Sequence, residues 1–360
     1  MNETYRQTIA RLIEASPFDI NTDIQISGRP PSEASSEFLT NREQGDWAER
    51  IVLTAINDSS LEYIAQPYGQ SGSLTAGDPG FPESYSAHQT ELNHIGKKPD
   101  LLIFRRSDIP DPLDINLDDY SFVRKAVAAI EVRSSSFLLN SYSSFMDNRT
   151  REAEQECWRI REIILQEPFL TTLRDKSPDI FNLISNASIN TFRELKFSCP
   201  SWRLSTRTIL QQELCDHLKA LKAQIEILKK RDYLSITPKL EDLALVNRWI
   251  QYFGVPHYYL QVFFDKAYII SFQEILEISS DSSKEGIIFS VERDTKNQRK
   301  TTIKINAQIG REILSLIDMP NHKSALKELG RGRLLFYVTF EGGKGYLDPA
   351  IFSQEIINNV

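Results

Sequence analysis

The sequence predicts a mixed α/β protein, an α+β mixed sheet interrupted by a large helical insertion. Three observations lead there. Short β-branched and aromatic runs fall in two clusters, LLIF (101–104) with VAAIEV (127–132), and again from HYYLQV (257–262) onwards. Between them, from about 150 to 250, apolar residues recur at steps of three and four. At 360 residues the chain exceeds one minimal domain and suits two, or one core carrying an insertion.

Residues 1–15 read as a helix with Tyr5, Ile9, Leu12 and Ile13 on one side. The Pro- and Ser-rich SGRPPSEASSEFLTN reads as a loop. GDWAERIVLTAIN then reads as a helix, with Trp47, Ala48, Ile51, Val52 and Ala55 at helical spacing. Residues 66–99 carry Pro67, Gly69, Gly72, Gly77, Pro79, Gly80, Pro82, Gly96 and Pro99, punctuation that predicts a long irregular excursion. The strands 101–104 and 127–132 follow, joined by a polar, Asp- and Pro-rich connection. In the helical stretch, Leu210, Leu214, Leu218, Leu221, Ile225 and Leu228 form an amphipathic seam that suits core packing or a subunit interface. Strand character returns over 257–272, GIIFSVER and TTIKIN; REILSLI reads as a helix, LLFYVTF as a strand and EGGKGYLDP as a turn. The expected organisation is a helical segment at 1–30, a core from 31–145 and 246–310, a helical insertion at 146–245, and a C-terminal helix and strand at 311–360 completing the core.

Composition narrows the function. Hydrophobic residues at 41% and charged residues at 25% fit a globular chain and exclude collagen-like or disordered classes. No apolar run approaches a membrane span, and the polar start MNETYRQTIARLIEASPF lacks a signal peptide's apolar stretch, so the expected location is cytoplasmic. Cys157, Cys199 and Cys215 form no CxxC pair, which argues against a disulfide framework or zinc site. The five histidines show no metal-ligand spacing, and GQSGSLTAGDPG lacks the Lys-Ser/Thr of a phosphate-binding loop. Net charge is −7, yet Thr191–Leu240 holds ten Lys/Arg against five Asp/Glu. A basic stretch inside an acidic chain is either a solvated helix face or a contact for nucleic acid.

The sharpest local feature is GKKPDLLIF…AVAAIEVRSSSF. If its two strands pair antiparallel, Asp100 at the start of one lies beside Glu131 near the end of the other. Alternation puts Glu131 and Arg133 on one face, with Ile130 and Val132 on the opposite face. Two carboxylates suit Mg²⁺, which keeps several waters and accepts phosphate oxygens; a cation beside them suits the charge that develops on phosphorus. This is an arrangement for phosphodiester hydrolysis.

These residues resemble the motif of the PD-(D/E)XK nuclease superfamily: Pro99-Asp100 as the PD, and Glu131-Val132-Arg133 as the tripeptide in all but its last position. SSEFLTNREQGDWAERIVL, AGDPGF, EVRSSSF and VPHYYLQVFFDKAYIISF are similar, more specifically, to type II restriction endonucleases of the AccI-like group. That resemblance implies a restriction-endonuclease-like core and Mg²⁺-dependent cleavage of double-stranded DNA at a short palindromic site. It also implies a homodimer, and a cognate DNA methyltransferase as genetic partner rather than physical subunit. Asp100 and Glu131 would be the metal ligands and, with Arg133 and Glu49, the catalytic residues; Glu49 is placed by the likeness of GDWAER to the family's preceding helix. The family's lysine is Arg133 here, and arginine cannot act as a base, so Lys266 is the next candidate for an ammonium, alongside Lys125. Ser134 and Ser135, and Lys296, Asn297, Gln298 and Arg299 in RDTKNQRK, are the candidate DNA contacts. Two other functions fit the same residues: a DNA-binding protein with an inactive nuclease fold, and a structure-directed repair or resolving nuclease.

Overall fold

The computed structural model describes residues 2–69, 74–109, 115–202, 208–293 and 301–358. The candidate contacts Lys296, Asn297, Gln298 and Arg299 lie outside the described residues. The chain forms two compact units, one made of Met1–Leu139 with Leu234–Val360, the other of Asn140–Tyr233.

The first unit runs α1 (Asn2–Ala15), α2 (Ser36–Ser59), β1 (Tyr63–Pro67), α3 (Phe81–Ile95), β2 (Leu101–Arg105), α4 (Tyr120–Val123) and β3 (Ala128–Ser134). The chain then enters the second unit, with α5 (Leu139–Ile164) beginning at the boundary, α6 (Phe169–Lys176), α7 (Pro178–Ser185) and α8 (Ile209–Lys229). The first unit resumes with β4 (Ser235–Ile236), α9 (Leu240–Phe253), β5 (His257–Val262), β6 (Ala267–Ser271), α10 (Phe272–Ser280), β7 (Phe289–Arg293) and β8 (Thr301–Asn306). It ends with β9 (Arg311–Ile317), β10 (Asn321–Glu328), β11 (Leu334–Glu341), β12 (Gly345–Leu347) and α11 (Pro349–Asn358).

A seven-stranded mixed sheet organises the first unit in the order β1-β2-β3-β5-β6-β9-β12. Its pairs are antiparallel except β3 with β5. A parallel pair needs a long crossover, and here the crossover contains the whole second unit and α9. Helices cover both faces. Trp47, Ile51, Val52 and Ile56 of α2 pack with Ile130, Val132, Tyr258, Leu260 and Phe352 on one side. On the other, Ile9 of α1, Trp249, Ile250 and Phe253 of α9, and Ile275 of α10 pack with Leu102, Phe104, Ala129, Tyr259 and Ile270. All six residues of β5 are buried, as expected for a central strand covered twice. Smaller sheets, β4-β8-β7 and the ribbon β10-β11, complete the unit.

In the second unit the leucine seam is an internal core. Leu214, Leu218, Leu221, Ile225 and Leu228 pack with Cys157, Ile160, Ile164, Leu173, Ile184 and Phe192. Its apolar side is used within the chain rather than left open to a second copy.

Several element expectations change. Helix α2 starts at Ser36, so its first residues come from the stretch read as a loop. Residues 81–95 form α3 inside the supposed irregular excursion. REILSLI is β9, not a helix, and part of EGGKGYLDP is β12 rather than a turn. Polar β10 and the C-terminal α11 had no counterpart in the sequence reading.

Candidate active site

The register of β2 against β3 pairs Leu101 with Ile130, so Asp100, just before β2, falls beside Glu131. Backbone contacts fix Asp100 on both sides. Its carbonyl accepts from Tyr68 N–H at 2.9 Å, and its carboxylate Oδ2 accepts from Val132 N–H at 2.7 Å. The side chain thereby continues the ladder where the β2 backbone ends. Ile130 and Val132 point into the α2 side of the sheet, while Ala129 belongs to the α9 side. By alternation Glu131 and Arg133 share that second side with Tyr259.

The charges there form a closed arrangement. Lys97 Nζ lies 2.6 Å from Glu131 Oε1 and 3.1 Å from Asp242 Oδ2. Arg133 Nη2 lies 3.0 Å from the same Glu131 oxygen and 3.2 Å from the same Asp242 oxygen. Each cation meets each carboxylate. Lys97 reaches the site because Gly96 adopts φ 84°, a left-handed conformation suited to glycine, and lets the chain lie against α9. A Cβ at Gly96 would run into the Leu245 carbonyl oxygen and lie 2.6 Å from Trp249 N. Lys97 N–H donates to the same Leu245 carbonyl at 3.1 Å. Asp242 stands in the first turn of α9, where the helix dipole favours a carboxylate.

Electrostatics divide the acids into two groups. Burial opposes the charge of Glu131 and of Asp242, but Lys97 and Arg133 overcome it and hold both carboxyls below their ordinary range. Asp100 is held well above its ordinary value by burial, then by the charges of Glu131 and Glu49, against the attraction of Lys97 and the Val132 hydrogen bond. Glu49 on α2 is pushed up to about 7 by burial and by the charges of Asp46 and Glu131. Arg133 is held above its ordinary value by Glu131 and Asp242 despite burial, so it stays charged and cannot serve as a base. Burial pushes His257 down to about 3, leaving a neutral ring among Trp249, Tyr259 and Phe272.

The other candidates fall elsewhere. Lys266 pairs with Glu312 at 2.9 Å, and the Lys125 ammonium sits over the Phe122 ring at 5.1 Å. The ammonium that meets Glu131 is Lys97, three residues before Asp100. Ser134 ends β3 paired with Val262, and Ser135 N–H donates to the Val262 carbonyl at 2.9 Å. With its amide oxygen turned toward them, buried Gln44 of α2 accepts from Ser135 and Ser136 N–H at 3.2 Å each. Lys97, Asp242 and Gln44 were not anticipated. Only Lys97 carried a signal, as the first lysine of KKPD.

Among the described residues no three His, Cys, Asp or Glu side chains converge as a ready ligand set. The donors at the strand end still fit a divalent cation. Glu131 Oε2 is buried without a hydrogen-bond partner. Asp100 and Glu49 carry mutually repelling carboxyls that a cation would relieve. The chemistry is that of hard oxygen ligands beside two fixed positive charges.

The model of the family described as AccI restriction endonuclease matches residues 3–358. No curated protein and no solved structure matches the chain.

Proposed function

The chain belongs to the AccI restriction endonuclease family and is a type II site-specific deoxyribonuclease; from that premise we propose that it hydrolyses DNA with Mg²⁺ held by Asp100 and Glu131. The observation that carries this reading is the unpartnered, buried Glu131 Oε2 beside a second carboxylate that takes a backbone hydrogen bond from the same strand. When bound, the metal would activate a water and offset charge on the scissile phosphate.

The chain's own residues supply the rest. Asp100 is oriented by Val132 N–H, so its free oxygen is presented at a fixed place. Glu49 adds a third negative charge close to the pair without touching the cation ring. Arg133, permanently charged, stabilises negative charge on the phosphate; Lys97, held protonated by Glu131 and Asp242, adds a second positive charge. Neither takes the proton from the attacking water, which passes to solvent or to a phosphate oxygen. Ser134 and Ser135, half-buried where the same strand ends, and Lys296, Asn297, Gln298 and Arg299 contact DNA. The target is a short palindrome cut by a homodimer in the cytoplasm, and a DNA methyltransferase of the same specificity protects the host.

Digestion of unmethylated phage DNA with purified protein tests this reading. Discrete bands that require Mg²⁺, disappear with EDTA and are lost in Asp100→Asn and Glu131→Gln are expected. A smear would point to a nuclease that reads DNA structure. Undiminished cleavage by Asp100→Asn would sink the site assignment.

A further inference from the structure

We propose that Asp242 is a positioning residue for the cleavage site: it tethers Lys97 and Arg133 so that Glu131 is free to take a divalent cation. This rests on the metal reading of Asp100 and Glu131. The argument begins with the way the four charges share bonds. Glu131 Oε1 receives both cations, at 2.6 and 3.0 Å, while Glu131 Oε2 receives none. A single Asp242 oxygen receives the same two cations, at 3.1 and 3.2 Å. The four side chains are largely enclosed, with exposures of 23% for Lys97, 24% for Arg133, 17% for Asp242 and 4% for Glu131.

Enclosed charges seek the nearest counter-charge, because solvent screens them poorly. With Asp242 in place, two cations divide between two carboxylates. Without it, Glu131 would be the one direct ion-pair partner left to both among the described residues, and they would compete with a metal for it. Asp242 therefore raises the metal affinity of a carboxylate that it does not touch, through the two cations between them. It also keeps both positive charges at the strand end once Glu131 turns to the metal, where the phosphate must pass. Its own place is fixed by α9, whose first turn favours a carboxylate and whose later residues pack in the sheet core. The proposed cleavage strands and α9 are thus joined by charge as well as by apolar packing.

Mn²⁺ binding to the full chain, followed by the loss of the free-ion electron paramagnetic resonance signal, tests this apart from cleavage. Asp242→Asn should weaken binding by about tenfold in the wild-type background and by less than about threefold in a Lys97→Met background, because one of the competing cations is then gone. Lys97→Met alone should tighten binding by about fivefold while slowing cleavage. An equal loss from Asp242→Asn in both backgrounds would overturn the tether, leaving Asp242 as an independent charge. Weaker or unchanged binding by Lys97→Met would overturn it too, even if Asp242→Asn did not fold. Failure of the underlying site reading looks different: the wild type would bind no Mn²⁺, or Asp100→Asn would bind it as well as the wild type.

Discussion

Replacing Asp100 with asparagine should abolish cleavage and yet stabilise the metal-free protein. The amide has the carboxylate's shape, and its oxygen can keep the Val132 N–H bond that Oδ2 accepts at 2.7 Å. What disappears is a buried charge disfavoured by desolvation and by Glu131 and Glu49. Cross-strand neighbours have Cβ atoms about 5 Å apart, and two unit charges at about that separation repel by about 3 kcal/mol at an effective dielectric constant of roughly 20. The attraction of Lys97 offsets part of this. A net gain of about 1–2 kcal/mol follows, or roughly 1–4 °C in Tm at about 2.1 cal/mol/K of unfolding entropy per residue. The sign with pH is also set. A carboxyl raised in the fold keeps a proton that the unfolded chain releases, so wild-type stability falls as pH rises above about 3.8 and the advantage of asparagine grows. Calorimetric melting in EDTA at pH 4.5 and pH 8, with and without later addition of Mg²⁺, checks both points. The variant should melt higher in EDTA, more so at pH 8, and should lose the stabilisation that Mg²⁺ gives the wild type. A lower Tm than wild type in EDTA at both pH values would refute the electrostatic reasoning.

Glu49→Gln should flatten a separate pH dependence. With Glu49 pushed up to about 7 in the fold from an ordinary 4.5, metal-free stability falls as pH rises between those values and loses nothing further from this group above them. Urea midpoints at pH 5, 6, 7 and 8 in EDTA should converge on this contrast, and parallel profiles for the two proteins would count against it. Gly96→Ala should cost about 3 kcal/mol, since it combines a φ of 84° with a Cβ driven against the Leu245 carbonyl. It should also slow cleavage at temperatures where the variant remains folded, because the next residue is Lys97. Stability within about 0.5 kcal/mol of wild type would show that the α9 contact yields easily.

The strands were easiest to read from sequence because periodicity is local. Glu131 and Arg133 alternate with Ile130 and Val132, and this placed the two charged residues and these two apolar residues on opposite faces. Helix α3 was hidden by its own boundary signals. Gly80, Pro82 and Gly96 look like breakers in a row, yet Gly80 is the N-cap, Pro82 lies in the first turn and Gly96 is the C-cap. Strand β9 misled for a different reason. Its pairing with β6 shifts register between Ala267 and Tyr268, so Ile313, Leu314 and Ile317 are all buried. Spacings of one and four imitate a helix face when a bulge interrupts the two-residue period.

The cation ring was illegible for a reason that bears on the chemistry. Sequence comparison looks for a lysine two residues after Glu131 and finds Arg133. In the folded chain the ammonium comes from the other side of Asp100, carried by Lys97 through the turn at Gly96. Its second anchor, Asp242, lies beyond the whole helical unit and returns only because β3 and β5 are parallel and α9 lies within their crossover. A phosphate can be met only by a charge standing at the strand end, whatever segment delivers it. Under the proposed reading the arginine at 133 is no sign of a lost site: two cations stand at Glu131, and Asp242, which meets both, is the feature a linear motif cannot contain.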